Sequence, residues 1–359
     1  MKRIAVWILS LCFYSPAFGS LCAVSIVSHS FQRPTQALLA NTIWGSETFR
    51  LQTRDLSRIV HPFYSQMQMR QDTLTDDKHT LGTLIQFHRP IAEDERRRAS
   101  YLALVTVDPG VQNKGLATEL FKRATTQEKN DGIEYWYAYI DPTNTPSQKA
   151  AEKNGFGLLK RFTTYSFSRF HPKTTSGVNV LPFGDVDDFA EVLKERYAGY
   201  FNTDFPFSIL PDQYYVLRKH GEIVAGAQVL ARSWTIHFSA GWKGWLATQV
   251  FPSMPVLGQL YKNELDFIRL GNIFWKDGKE QHLSDLFSHL LAVHNRRLAI
   301  VHADEASSLA DALRKLPLGF ANRFEGTSHT NVLLKPATPG VFDTESVRRQ
   351  PLFVPLSDQ

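Results

Sequence analysis

Residues Val111 to Thr118 read VQNKGLAT, and their types and spacing suit one piece of chemistry, the holding of a phosphate. A helix N-terminus presents backbone N–H groups without intrahelical partners, together with the positive end of the helix dipole, so it favours an anion. A phosphate reaches those amides only where side chains leave room. The pattern Q-x-x-G-x-A puts Gly115 and Ala117 where bulk would obstruct the backbone. Pro109 and Gly110 form the preceding turn. The apolar run YLALVTV (101–107) leads in as a strand, and LATELFKRATTQEK (116–129) leads out as a helix with Leu116, Leu120, Phe121 and Ala124 on one face. Such a frame would make a pyrophosphate cradle. The Gly-Lys-Ser/Thr ending of a nucleotide P-loop is absent, and so is G-x-G-x-x-G. Alone, a strand, a glycine loop and a helix are a turn in most proteins, so the reading depends on its surroundings.

Other chemistries find less support. His282 and His289 share a helix face, but no H-E-x-x-H or cysteine partner accompanies them, so no metal is expected. No G-x-S-x-G elbow points to a serine hydrolase. The stretch SWTIHFSAGWKGW (233–245) could wall a cleft, with core packing the preferred role.

A chain of 359 residues exceeds one typical domain and suggests two. With 43% hydrophobic and 21% charged residues it is an ordinary globular sequence. A net charge of +5 without a basic stripe argues against nucleic acid. The densest run, DERRRAS (94–100), reads as a solvated loop. At the start, Lys2 and Arg3 precede an apolar stretch from Ile4 to Tyr14, then Pro16 and Ala17-Phe18-Gly19. That is the layout of a secretory signal peptide, too short to span a bilayer. The alternatives are a misplaced start, or an apolar strand or helix packed on the first domain. Cleavage there would leave one of the two cysteines, Cys12 and Cys22, and no internal disulfide.

Hydrophobic periodicity then gives an order of elements. TFRLQ (48–52) is a strand, RDLSRIVHPFYSQM (54–67) a helix, and residues 72–87 two strands joined at Asp76-Asp77-Lys78. After the cradle come the strand IEYWYAYI (133–140) and a helix in which Thr145 caps, Pro146 fits the first turn, Gln148 completes a capping box and Gly155 ends the element. LLKRFTTYSFSRF closes the first unit near residue 170, and HPKTTSG (171–177) links. A second round follows: strand 178–182, helix 185–200, a hairpin turning at His220-Gly221, strand 266–275, helix 280–297, strand 298–304, helix 307–316 and the strand TNVLLKP (330–336). An echo of pattern at a period of about 150 residues implies duplication. The expected organisation is a leader-like segment over 1–45, a first domain over 46–170, a second over 178–336 and a tail over 337–359.

VDPGVQNKGLATEL (107–120) resembles the signature of the GNAT superfamily of acyl-CoA-dependent N-acyltransferases, V-x-P-x-x-[QR]-x-x-G-x-[GA]. NTPSQKAAEKNGF (144–156) is similar to that family's second block, and the element order matches over about residues 46–170. The resemblance implies an α/β (α+β) fold of two tandem GNAT-like mixed-sheet domains with helices on both faces. It also implies an acyl-CoA donor, acetyl-CoA or another short acyl-CoA. Backbone amides among Val111, Gln112, Asn113, Lys114, Gly115, Leu116, Ala117 and Thr118 would hold the pyrophosphate. The strand edge ending at Thr106 and Val107 would pair with the pantetheine arm, and Asn144 would hydrogen-bond its amides. A neutral amine on a small molecule or peptide would attack the thioester carbonyl directly. A strand N–H would stabilise the oxyanion. An acyl-CoA donor places the protein in the cytoplasm, with export as the alternative. Met67 lies inside the first helix, so an alternative ATG start would not rescue the fold.

The match breaks in two places. The tyrosine that family members commonly carry four residues before the second-block glycine is Ala151 here. Tyr139 or Tyr165 could serve, the thiolate could leave unassisted, or the unit could bind without fast turnover. The base is equally open, with Glu93, Asp94 and Glu95 upstream in a loop. In the second copy, KDGKEQHLSDL carries Gly278 but no Q-x-x-G-x-A, and Asp277 and Glu280 oppose a phosphate. That domain is expected to lack CoA and to shape the acceptor site, with His302, Asp304 and Glu305 as candidate acceptor-binding groups.

Overall fold

The computed structural model describes residues 8–15, 19–27, 33–42, 44–45, 49–53, 68–76, 79–91, 94–126, 132–203, 209–238, 242–254, 258, 264–325, 328–338, 340 and 342–358. Its principal elements begin with β1 (Ile8–Ser15), β2 (Gly19–Val27), α1 (Arg33–Ala40), β3 (Trp44–Gly45) and β4 (Phe49–Thr53). Next come β5 (Gln68–Thr75), β6 (Thr80–Ile91), β7 (Asp94–Val107), α2 (Leu116–Thr126), β8 (Ile133–Ile140), α3 (Thr145–Glu152) and β9 (Gly157–Ser168). The second round supplies β10 (Val178–Val180), α4 (Val186–Arg196), β11 (Tyr214–Lys219), β12 (Glu222–Phe238) and β13 (Glu264–Trp275). It ends with α5 (Gln281–Val293), β14 (Leu298–Asp304), α6 (Ser308–Arg314), β15 (Ser328–Pro336) and α7 (Thr344–Arg349). The expected helix over 54–67 lies outside the described residues.

These elements form two compact units. The first takes residues 1–43, 55–159 and 331–344, and the second 44–54, 160–330 and 345–359.

In the first unit the strands run β1-β2-β5-β6-β7-β8-β15, with β7–β8 parallel and the other pairs antiparallel. Alternation along β5 sends Leu74 into the core under α2, while Gln71 on the opposite face hydrogen-bonds Thr35 of α1. Helices therefore cover both faces. The core beneath α2 gathers Leu116, Leu120, Phe121 and Ala124, the face expected from periodicity, with Trp136, Phe156 and Leu333. Farther along the sheet a buried polar chain ties three strands: Gln86 Nε2 donates to Asp72 Oδ2 at 2.7 Å, and Ser100 Oγ to Gln86 Oε1 at 3.1 Å.

The second unit repeats the succession. Its strands run β9-β14-β13-β12-β11-β10, only β13–β14 being parallel, with β4 paired to the far end of β12. α5 buries Leu283, Leu286, Phe287, Leu290 and Leu291 against this sheet.

Four expectations change. TFRLQ, read as opening the first domain, is β4 and pairs with β12 through Trp234↔Thr53. TNVLLKP, read as the last strand of the second copy, pairs with β8 from Asn331↔Ile140 to Pro336↔Tyr135. DERRRAS is not a solvated loop but part of β7. Ala99 and Ser100 are fully buried, Arg98 N–H donates to the Gly132 carbonyl at 3.0 Å, and Arg97 Nη2 reaches Glu134 Oε2 at 2.9 Å. Arg97 and Arg98 thus lie on a strand that turns fully buried at Ala99 and Ser100. The N-terminal stretch read as leader-like is built into the first unit. There β2 pairs with β5, and α1 buries Thr35 and Leu39.

Candidate functional site

The sheet of the first unit opens at one point. β7 and β8 pair from Arg98↔Ile133 to Tyr101↔Tyr137 and then part. Their outer edges stay held through the opened length, β7 by β6 as far as Gly82↔Val107 and β8 by β15 as far as Asn331↔Ile140. The parting coincides with a bulge. The β6–β7 register shifts between Thr83 and Ile85, and Leu104 takes φ +50°. A non-glycine residue in the left-handed region is uncommon and marks a locally imposed conformation. The result is a slot between two fixed strands, edged by residues 102–107 on one side and 138–140 on the other.

At the mouth of this slot lies the glycine loop. Asp108 N–H donates to the Leu81 carbonyl at 2.9 Å, and Asp108 Oδ1 accepts from Gly110 N–H at 2.8 Å, which fixes the turn after β7. Asn113 and Gly115 then adopt φ +64° and +82°. The first bond of α2 runs from Glu119 N–H to the Gly115 carbonyl at 3.0 Å. The amides of Leu116, Ala117 and Thr118 precede it and have no residue one turn back to donate to. A Cβ built on Gly115 would meet nothing within 4 Å, and residues 112–115 are exposed. Among the described residues the mouth is open.

Neighbouring groups brace it. Asn154 Nδ2 donates to the Thr118 carbonyl at 3.0 Å and to the Ala150 carbonyl at 2.8 Å, locking α2 to α3. Gln112 Nε2 lies 3.4 Å from the Val107 carbonyl, and Val107, Val111 and Ala117 rest against the core. Thr106 is 4% exposed, and its hydroxyl has no partner among the described residues. A buried hydroxyl left unpaired costs free energy that a bound polar group would recover.

Asn144 is exposed at the N-terminus of α3, where its Oδ1 accepts from Ser147 N–H at 3.2 Å. It takes the capping position expected of Thr145. Gln148 turns instead to the carbonyls of Asp141 and Pro142, at 3.4 and 3.2 Å. Ala151 is fully buried, its carbonyl accepting from Phe156 N–H. Tyr139 is half-buried, its ring 5.0 Å from Tyr101 and 5.6 Å from Tyr137. Tyr165 is removed from consideration, because it sits in the core of the second unit, where burial raises its hydroxyl pKa. Asp94 and Glu95 lie on β7 rather than in a loop, and Glu93 lies outside the described residues. The aromatic row was passed over in the sequence. Tyr135, Tyr137 and Tyr139 alternate along β8 and share one face of the sheet, and buried Arg89 donates from Nε to Tyr137 Oη at 2.7 Å. The period-two tyrosines in IEYWYAYI were its available signal.

The second unit repeats the opening but not the Q-x-x-G-x-A loop. β13 and β14 pair only from Ile268↔Ala299 to Leu270↔Val301, Asn272 has φ +49°, and the β12–β13 register shifts between Gly226 and Gln228. Where the phosphate loop would lie, Asp277 pairs with Arg196 and Glu280 with Lys315 at 3.2 Å. The Glu280 carboxylate is held below its usual pKa by a bond to its own N–H and by Lys315. The start of α5 already carries an anion, namely the protein's own.

The three candidate acceptor-binding groups of this unit are engaged internally. His302 Nδ1 lies 3.0 Å from Thr164 Oγ1, Asp304 is 4% exposed and pairs with Lys160 at 3.1 Å, and Glu305 accepts from Thr163 Oγ1 at 2.8 Å. Burial, with Arg269 next, pushes the His302 imidazole well below its ordinary value of 6.5. The native state then binds fewer protons than the unfolded chain at acid pH, so stability is full above about 6.5 and falls as pH drops below it. His302→Gln should flatten that acid limb in urea titrations, and an unchanged slope would exclude His302 as its source.

Other expectations divide. Trp234 packs edge-on against Phe267 at 4.7 Å, whereas Trp242 and Trp245 are exposed, so packing describes only part of the tryptophan stretch. His289 Nδ1 accepts from Thr175 N–H at 2.9 Å, and the described residues hold no cluster suited to a metal ion.

Residues 73–156 match the family model described as Acetyltransferase (GNAT) family. No curated protein sequence matches the chain. Saccharomyces cerevisiae N-myristoyltransferase with bound myristoyl-CoA superposes with a TM-score of 0.58 at 13% identity, over 93% of this chain and 84% of that one. The same yeast enzyme with myristoyl-CoA and inhibitors gives 0.56 at 13% identity, over 98% and 91%. A GCN5-related N-acetyltransferase from Sphaerobacter thermophilus gives 0.46 at 12% identity, over 76% and 82%.

Proposed function

Because residues 73–156 match the GNAT acetyltransferase family model, we propose that the first unit transfers an acyl group, acetyl or another short one, from coenzyme A to a primary amine. The observation that carries this reading is the coincidence of two features. A slot between β7 and β8 has both outer edges fixed, and its mouth is lined by the amides of Leu116, Ala117 and Thr118 with open space over Gly115. Open backbone at a helix N-terminus suits the diphosphate of the donor. The free edge of β7 toward Thr106 and Val107 suits its amide-bearing arm by strand addition. Of the Asn144 side chain, Oδ1 caps α3, so Nδ2 is the group to meet that arm.

The acceptor nitrogen attacks the thioester carbon and a C–N bond forms, the C–S bond breaks, the thiolate carries away the electron pair, and the proton lost by the nitrogen passes to water. A backbone N–H on the opened edge of β7 stabilises the oxyanion formed on the way. Tyr139 is the hydroxyl nearest the slot on β8 with partial exposure, and it is the candidate proton donor to the thiolate. The second unit takes no donor in this reading, since Asp277 and Glu280 bring negative charge close to the start of α5, which disfavours a second anion.

Titration calorimetry with acetyl-CoA should give one site per chain. Thiol release over a panel of small and peptide amines should then follow, with myristoyl-CoA as a second donor to bound acyl length. No heat with any acyl-CoA would end the proposal, and two sites per chain would end the assignment of the second unit. A CoA-binding regulator is the second reading, favoured by Ala151 in place of the expected acid. Binding without thiol release on any amine would select it. Among the described residues no helix is long and apolar enough to cross a membrane, and a cytoplasmic setting follows from the donor proposed.

A further inference from the structure

The slot of the second unit is lined on one side by a segment that follows α7. Beyond Leu270↔Val301 the strands β13 and β14 part, and Leu270 to Ile273 of β13, His302 and Ala303 of β14, and Leu352, Phe353 and Val354 line one cavity together. Leu356 lies so close to β13 that a Cβ on Gly271 would fall 2.7 Å from Leu356 Cβ. The segment is also tied through its backbone. Leu352 N–H donates to Asp304 Oδ2 at 2.7 Å, Phe353 N–H to the Phe201 carbonyl at 2.9 Å, and Phe201 N–H to the Pro351 carbonyl at 2.8 Å. Leu352, Phe353, Val354 and Leu356 are at most 7% exposed. A cavity of about 20 Å³ is left beside them, room for about one water molecule.

The walls are finished to match. The carbonyls of Asn272 and Ile273, displaced by the bulge, accept from the buried hydroxyls of Tyr214 and Tyr197, each at 2.7 Å. Burial holds both hydroxyls protonated. No comparable segment lies in the slot of the first unit among the described residues.

We infer that the β13–β14 slot is a peptide-binding site whose resident ligand is the chain's own segment 351–358. Its ligand class is an extended apolar peptide that fills the cleft with leucine and phenylalanine side chains and presents a main-chain N–H to the Asp304 carboxylate. The slot whose counterpart in the first unit is proposed to take a donor has here become a receptor for segment 351–358. This inference rests on the geometry of the second unit alone and stands whether or not the first unit transfers acyl groups.

The test keeps the whole chain. A protease site placed at residues 338–341, beside exposed Gly340, is cut in the folded protein, and the digest is passed through a size-exclusion column. The fragment carrying α7 and the tail should co-elute with the body, and the synthetic peptide PLFVPLSDQ in excess should displace it. The same peptide with Leu356→Asp should compete at least about tenfold more weakly, since it brings a charge to an apolar wall. Immediate loss of the fragment on cutting would overturn the proposal, as would equal competition by the two peptides. A chain ending at Gln350, if it folds, should bind the labelled peptide one to one while the full-length chain does not. Equal binding by the two chains, or none by the folded truncation, would also overturn it. Should the truncation not fold, the cleaved chain decides.

Discussion

Gly115→Val is expected to abolish acyl-CoA binding, with affinity reduced at least about a hundredfold, which corresponds to ~3 kcal/mol. Two separable causes act in the same direction. Gly115 has φ +82°, and a β-branched residue held there costs on the order of 1–3 kcal/mol, so the loop relaxes away from its cradle shape. The space that valine would take is the space over the helix amides, empty in the free protein. Gly115→Asn separates the two, because asparagine tolerates the left-handed region and still adds a side chain. If approach of the phosphate is what matters, the asparagine variant should melt like the parent and bind acetyl-CoA weakly in calorimetry. Parental affinity in both variants would remove the cradle from the account.

The second large effect is expected at Asp304. Its carboxylate is 5% exposed, pairs with Lys160 at 10% exposure, and accepts from Leu352 N–H and from Ala306 N–H at 3.0 Å. Removing one partner of a buried pair leaves the other charge desolvated and uncompensated, at a cost of about 3–5 kcal/mol. Asp304→Ala should therefore lower the unfolding free energy of the second unit, read from urea titration, by that amount. Asp304→Ala with Lys160→Met should recover part of it, since the stranded ammonium is gone. A single variant as stable as the parent would mean that water reaches the pair. Additive losses in the double variant would mean that the two side chains do not interact.

Sequence reasoning reached the local part of this fold and missed its long-range part, for physical reasons. The glycine loop after β7 was legible because everything that shapes it lies close along the chain: the strand, Asp108, Gly115 and the apolar face of α2. The hairpins at 76–79 and His220-Gly221 were legible for the same reason, since turn chemistry is local. Strand partnership is not local. Nothing in TNVLLKP distinguishes a strand that pairs with β14 from one that pairs with β8, because either neighbour would bury the same alternate residues. DERRRAS was misread because three arginines outweighed the alternation beneath them, and Arg97 finds its carboxylate at Glu134, far along the chain. The tail over 337–359 was read as mere terminus. Its apolar residues PLFVPL carry no period of helix or strand, and only the shape of the cleft that receives them gives the pattern a purpose.

The pairing of β15 with β8 bears on how the chain is made. Translation delivers β8, residues 133–140, well before β15, residues 328–336, which caps its raw edge. Until then the nascent unit presents an uncovered row of strand amides and carbonyls, the kind of surface on which chains stick to one another. Folding of the first unit therefore has to wait, or be shielded, until β15 has been made. An expression clone stopped near residue 170 would make that waiting state permanent and should be recovered as aggregate.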